Sequence, residues 1–206
     1  AALVSGLFLL LITAFRRAEA NGLPTITLPV VLASSMALAL PLIVAYPINA
    51  TDIFGYVIRG RIASAYGDNP FVTPAAAFIG DPFMPLVEEW ADLTTPYGPI
   101  WETIAAGLTA VSGDNLLWGV LLFKGLALVC FLITTGLIWT LLSDSPRRLS
   151  YTLLWAWNPG LLLTFIMNGH NDSLMLMWLV LGFAVGCRGR KAAGFAIMVL
   201  AALTKP

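Results

Sequence analysis

Between residues 115 and 142 the chain reads NLLWGVLLFKGLALVCFLITTGLIWTLL, an apolar stretch interrupted by a single charge, Lys124. About 20 apolar residues in a helix cross the hydrocarbon core of a bilayer, so this segment is long enough to span with tilt. Similar runs recur at 1–15, closed by Arg16 and Arg17, and at 26–46, which contains Pro29 and Pro41. Others occur at 150–167, at 173–187, and from about 192 to 206. Hydrocarbon offers backbone groups no partner, so such runs have to be helical. Composition agrees. Only 11% of residues are charged, against about a quarter in soluble domains, and mean hydropathy is +0.86. The expected fold is an all-α polytopic membrane protein, a transmembrane helix bundle. The chain begins at Ala and stops at ALTKP just after an apolar run, so residues 1–206 read as the N-terminal part of one larger transmembrane domain.

Charge narrows the partners and sets an orientation. Eleven basic residues balance eleven acidic ones, which removes the electrostatic case for nucleic acid. Cys130 and Cys187 both sit in apolar runs and are expected as small buried hydrophobes. If the spans alternate, Arg16–Arg17, Arg147–Arg148 and the cluster Arg188, Arg190, Lys191 share one side, which the positive-inside rule assigns to the cytoplasm. The polar segment 47–114 and the turn NGHND at 168–172 then share the opposite face. Arg59 and Arg61 break the rule, so a translocated loop carries arginine there for a reason. Lys124, well inside its span, is either a functional charge or one that reaches for the nearer surface.

The loop 47–114 holds eight of the eleven acidic residues and seven prolines between Pro47 and Pro99, so much of it must be turns. Its start differs. No proline falls between Asp52 and Tyr66, and a projection at 100° per residue places Asp52, Tyr56, Arg59, Ala63 and Tyr66 on one stripe. Apolar residues occupy the other side, with Arg61 among them. The pattern predicts an interfacial amphipathic helix along the membrane surface, with Thr51 as its N-cap. Such a helix serves either as a brace among lipid headgroups or as part of a site. Guanidinium at headgroup depth suits phosphate, and a carboxylate suits general-base work on a hydroxyl. The pair implies a substrate that is half lipid and half polar.

Three blocks extend this reading: YPINATDIFGYVIRGRIASAYGDNPF, then TTPYGPIWE, then WNPGLLLTFIMNGHNDSLMLMWL. In order and spacing they resemble the integral-membrane glycosyltransferases of the C superfamily, above all the bacterial polyprenyl-phosphomannose-dependent mannosyltransferases. The resemblance implies that Asp52 is the catalytic residue. It implies a polyprenyl-phosphate sugar donor, mannose favoured, and inverting transfer to a hydroxyl of a glycan or glycolipid acceptor outside the bacterial plasma membrane. Arg59 is the first candidate for the donor phosphate and Arg61 the second. Tyr56, Asn69, Tyr97, His170, Asn171 and Asp172 are candidate substrate-binding residues. Tyr97 and Trp101 serve equally as interfacial aromatics, and a five-residue turn such as NGHND needs polar residues whatever its role. No cofactor is expected. No metal is either, since a single histidine, His170, cannot build a site alone. Membrane lipids are the remaining partners. A transporter of polar lipids and a non-catalytic subunit of a larger membrane complex are the competing readings.

Overall fold

The computed structural model describes residues 2–21, 26–48, 50–87 and 90–206. Glu88 and Glu89, two of the acidic residues of the polar loop, lie outside the described residues. Helices joined by turns make up the rest, with no strand among the described residues. They are α1 (Ala2–Ala20), α2 (Leu28–Val44), α3 (Asp52–Ser64), α4 (Pro99–Ser112), α5 (Leu116–Leu141), α6 (Arg148–Ala156), α7 (Pro159–Leu161), α8 (Asp172–Cys187) and α9 (Lys191–Ala202). Among them α5 alone is long and apolar enough to cross a membrane, while α2, α8 and α9 are apolar but shorter, at 17, 16 and 12 residues. Cys130 is buried in α5, as expected, whereas Cys187 is exposed at the end of α8.

Local chemistry explains the boundaries. Asn115 caps α5 by accepting the Trp118 N–H at 2.9 Å. The expected single span over 150–167 is broken instead. Pro159 lacks an N–H and disfavours helical backbone at Asn158, so α6 ends and Asn158 caps a new start through the Gly160 and Leu161 N–H groups. From α7 the chain runs on as a π-helix, Leu162–Met167. Gly169 then takes a left-handed φ of 71° and turns the chain into α8.

Two charged side chains close helix ends across the bundle. The Glu19 carboxylate of α1 accepts the N–H groups of Leu149 and Ser150 at 2.8 and 3.2 Å, and the Ser150 hydroxyl, at the start of α6. Nearby, Arg148 donates to the Trp139 carbonyl at 2.8 Å. At the other end Lys124 is fully buried, and its Nζ donates to the Ala45 and Leu42 carbonyls at 2.5 and 3.4 Å. Lys124 is therefore a cap on the C-terminus of α2, where unpaired carbonyls and the negative end of the dipole favour a cation.

Helix α3 forms where the stripe placed it, but it is not amphipathic in its setting. Every residue from Ile53 to Ile62 is buried, including Tyr56, Arg59 and Arg61. The physical reason is that both faces are covered: Trp101 of α4, Phe123 of α5, Tyr97 and Trp90 meet the stripe expected in solvent, while Ala75, Phe78 and Met84 pack on Ile58 and Ile62 of the apolar side. Ile53, Tyr56, Val57, Trp101, Ala105 and Phe123 form one cluster with Leu174 and Met177 of α8. The expected Thr51 side-chain cap is also absent. Its backbone carbonyl, not its hydroxyl, accepts the Phe54 N–H at 3.0 Å.

Candidate functional site

At the start of α3 a cavity of about 360 Å³ opens between the helix and residues Val87 and 90–97. Asp52, Gly55 and Arg59 form its helical wall, one turn apart, because residues three and four apart share a face. Trp90, Leu93 and Tyr97 line the opposite side. Asp52 keeps a side chain 40% exposed, whereas Arg59 as a whole is only 7% exposed.

Arg59 is held loosely for a buried charge. Its Nη2 reaches the Trp90 carbonyl only at 3.5 Å, its Nε has no partner among the described residues, and its Cζ lies 5.8 Å from the centre of the Tyr97 ring. Behind it, on α4, Glu102 is buried and accepts the Thr95 hydroxyl at 2.5 Å. Burial pushes the Glu102 carboxyl up, and Thr95 and Arg59 only partly offset it. Among the described residues Arg59 makes no ion pair, and it faces a cavity sized for a ligand. A buried guanidinium in that state favours an anion.

The turn Asn168–Asp172 docks against α3. A Cβ on Gly169 would sit 2.5 Å from Ile53 Cδ1, so only glycine lets the turn approach this closely. That contact brings His170 Nδ1 to 3.4 Å from Asp52 Oδ2 and 3.8 Å from Asp172 Oδ2. Asn171 is buried and its Oδ1 accepts the Tyr56 hydroxyl at 3.4 Å. Tyr56 in turn meets Tyr97 and Trp101 edge-on, with ring centres 5.3 and 4.8 Å apart. Burial first, then the neighbouring Tyr97 hydroxyl, raises the Tyr56 phenol well above its ordinary value, so it stays a proton donor.

Six of the nine residues singled out by sequence thus converge: Asp52, Tyr56, Arg59, Tyr97, His170 and Asn171, with Asp172 beside them. Arg61 and Asn69 do not. The Arg61 guanidinium, expected at phosphate level, instead pairs with Asp81 at 2.8 Å and Asp114 at 2.9 Å, donates to the Gly113 carbonyl, and stacks 4.6 Å from the Phe83 ring centre. Burial alone would raise the Asp81 carboxyl, but the Phe83 N–H, Arg61 and Tyr66 together hold it below the usual carboxylate range. Asn69 lies on an exposed turn and accepts the Phe71 N–H at 3.0 Å. Three residues were not singled out by the sequence. Lys205 pairs with Asp172 at 2.9 Å, Trp90 lines the cavity with a left-handed φ of 66°, and Glu102 lies behind Arg59. Glu102 stood within the TTPYGPIWE block; nothing local marked the other two.

Similarity to known proteins extends over the same residues. A family model described as alpha-(1->6)-mannopyranosyltransferase, N-terminal domain, matches residues 1–206. Alpha-(1->6)-mannopyranosyltransferase A of Corynebacterium glutamicum is 28% identical over 82% of this chain and 34% of its own length. The protein of the same name from Mycobacterium tuberculosis is 29% identical over 80% of this chain and 32% of its own. A probable alpha-(1->6)-mannopyranosyltransferase of Mycolicibacterium smegmatis is 30% identical over 77% and 29%. The chain spans about a third of the length of these curated relatives. No solved structure matches it. On the match along its whole length, the chain belongs to the alpha-(1->6)-mannopyranosyltransferase family of bacterial, C-superfamily mannosyltransferases.

Proposed function

We propose that this chain is the donor-binding, N-terminal part of a polytopic mannosyltransferase. It moves mannose from a polyprenyl-phosphate donor to a hydroxyl of a glycan or glycolipid acceptor outside the bacterial plasma membrane. One observation carries the reading: the exposed carboxylate of Asp52 and the buried guanidinium of Arg59, whose Nε has no partner among the described residues, face a single cavity.

In the proposed reaction Asp52 accepts the proton of the acceptor hydroxyl as that oxygen attacks the anomeric carbon of the donor. The bond from that carbon to the phosphate oxygen breaks on the opposite face, so configuration inverts. Negative charge grows on the departing polyprenyl phosphate, and the buried Arg59 guanidinium stabilises it more in the transition state than before. The cavity mouth lies at the end of the bundle that holds the α2 C-terminus and the turn 168–172. Helix α8 leads away from this turn, so Arg188, Arg190 and Lys191 lie about 24 Å off, at the proposed cytoplasmic end. The loop 47–114 then faces outward.

The test is mannose transfer from radiolabelled polyprenyl-phosphomannose by the full-length protein in membranes. Asp52→Asn keeps the shape of the side chain and is expected to lower turnover about 10²–10⁴-fold at unchanged thermal stability. Near-normal turnover would overturn the assignment.

A further inference from the structure

His170, Asn171 and Asp172 of the NGHND turn read in sequence as sugar ligands, yet each already has a neighbour within the protein, Asn171 through the Tyr56 hydroxyl. Lys205 holds both oxygens of Asp172, at 3.0 and 2.9 Å. His170 stands between the Asp172 and Asp52 carboxylates, at 3.8 and 3.4 Å from the nearest oxygen of each. A carboxylate oxygen accepts and an Nδ1–H donates, so Nδ1, with one hydrogen to give and close to both without a formed hydrogen bond to either, can serve only one of them at a time. Which carboxylate receives it depends on how strongly the other attracts it. A lysine on Asp172 weakens that competitor.

Lys205 is placed there by main-chain pairing. The Gly98 N–H donates to Thr204 O and the Ile100 N–H to Leu203 O, each at 3.0 Å, so the segment after α9 is stitched onto the start of α4. A Cβ on Gly98 would fall 2.0 Å from the Leu203 carbonyl oxygen, which only a glycine at that position avoids. The Tyr97 ring, 6.0 Å from Nζ, closes the other side.

We propose that Lys205, Asp172 and His170 form a positioning relay. Lys205 occupies Asp172, so the single Nδ1 hydrogen of His170 goes to Asp52 Oδ2, which turns Asp52 Oδ1 toward the acceptor hydroxyl. The inference rests on the reading of Asp52 as the base. It makes His170 and Asp172 positioning residues rather than sugar ligands, and it brings Lys205 into the site.

The relay predicts a reversal that a structural or sugar-binding role does not. With matched expression and thermal stability in the full chain, Lys205→Met is expected to lower kcat about tenfold with donor KM little changed. Adding Asp172→Asn removes the competing charge, so the double variant should recover most of that loss. His170→Asn, whose amide places a donor near the Nδ1 position, should retain more turnover than His170→Leu. If the double variant is as slow as Lys205→Met or slower, or if KM rises in place of the fall in kcat, the relay is wrong even though Asp52→Asn is inactive. An active Asp52→Asn would remove the base assignment and the relay together.

Discussion

Among the described residues Arg59 meets only a marginal contact to the Trp90 carbonyl and the Tyr97 ring face, and its Nε has no partner there. A phosphate in the cavity supplies what is missing. Arg59→Ala is therefore expected to weaken donor use by about 1.5–3 kcal/mol, the range for a hydrogen bond to a charged group. Arg59→Lys should recover part of it, because a point charge replaces the planar fork. Wild-type donor kinetics in both variants would show that the guanidinium serves packing alone. The joint placement of Asp52 and Arg59 was legible in the sequence, since helical spacing puts them on one stripe whatever covers it. Lys205 was not legible. Its nearness to Asp172 depends on backbone pairing between segments a hundred residues apart in the chain, and no local pattern encodes that.

At the scale of the element, α3 shows why a stripe is not a surface. The projection separated Asp52, Tyr56 and Arg59 from the apolar side, but it contained no information about Trp101 of α4 and Tyr97 of the segment before it, which cover the polar stripe. The same packing turns Arg61 into a tie between three segments: α3, the loop bearing Asp81, and the α4–α5 turn bearing Gly113 and Asp114. Removing Asp81 leaves the buried guanidinium with only the solvent-exposed Asp114 as counter-charge, so Asp81→Asn is expected to cost about 2 kcal/mol at neutral pH, below the cost of stripping a buried charge of every partner. It should leave donor KM unchanged, unlike Arg59→Ala. The Asp81 carboxyl is held below its unfolded value, so its stabilisation is present above the ordinary carboxylate range and lost as pH falls through the lower, folded value. Thermal melts at pH 7 and below pH 4 should accordingly converge for wild type and Asp81→Asn on the acid side. A constant gap across that range would place the stabilisation elsewhere.

For the molecule as a whole, hydropathy made the helical class and most helix positions legible, because length and apolarity leave few alternatives in a bilayer. It failed at 150–167, where the run of apolar residues hid the break that Asn158–Pro159 imposes. The proposed orientation has a direct check. In a Cys187→Ser background, Ile79→Cys, at an 82% exposed loop position, and Asp144→Cys, in the exposed α5–α6 turn, should label with a membrane-impermeant thiol reagent from opposite sides. Labelling from one side would invert or abolish the topology. The π-helical stretch 162–167 carries a further consequence, for divergence within a lineage. Loss of one residue there would leave composition, apolarity and all three sequence blocks almost untouched. It would also close the wide π turn toward α-helical pairing, changing the path by which the chain reaches the turn at 168–172 and the distance from His170 to Asp52. An alignment scores that deletion as one small gap, while the chemistry would register the loss of the pairing.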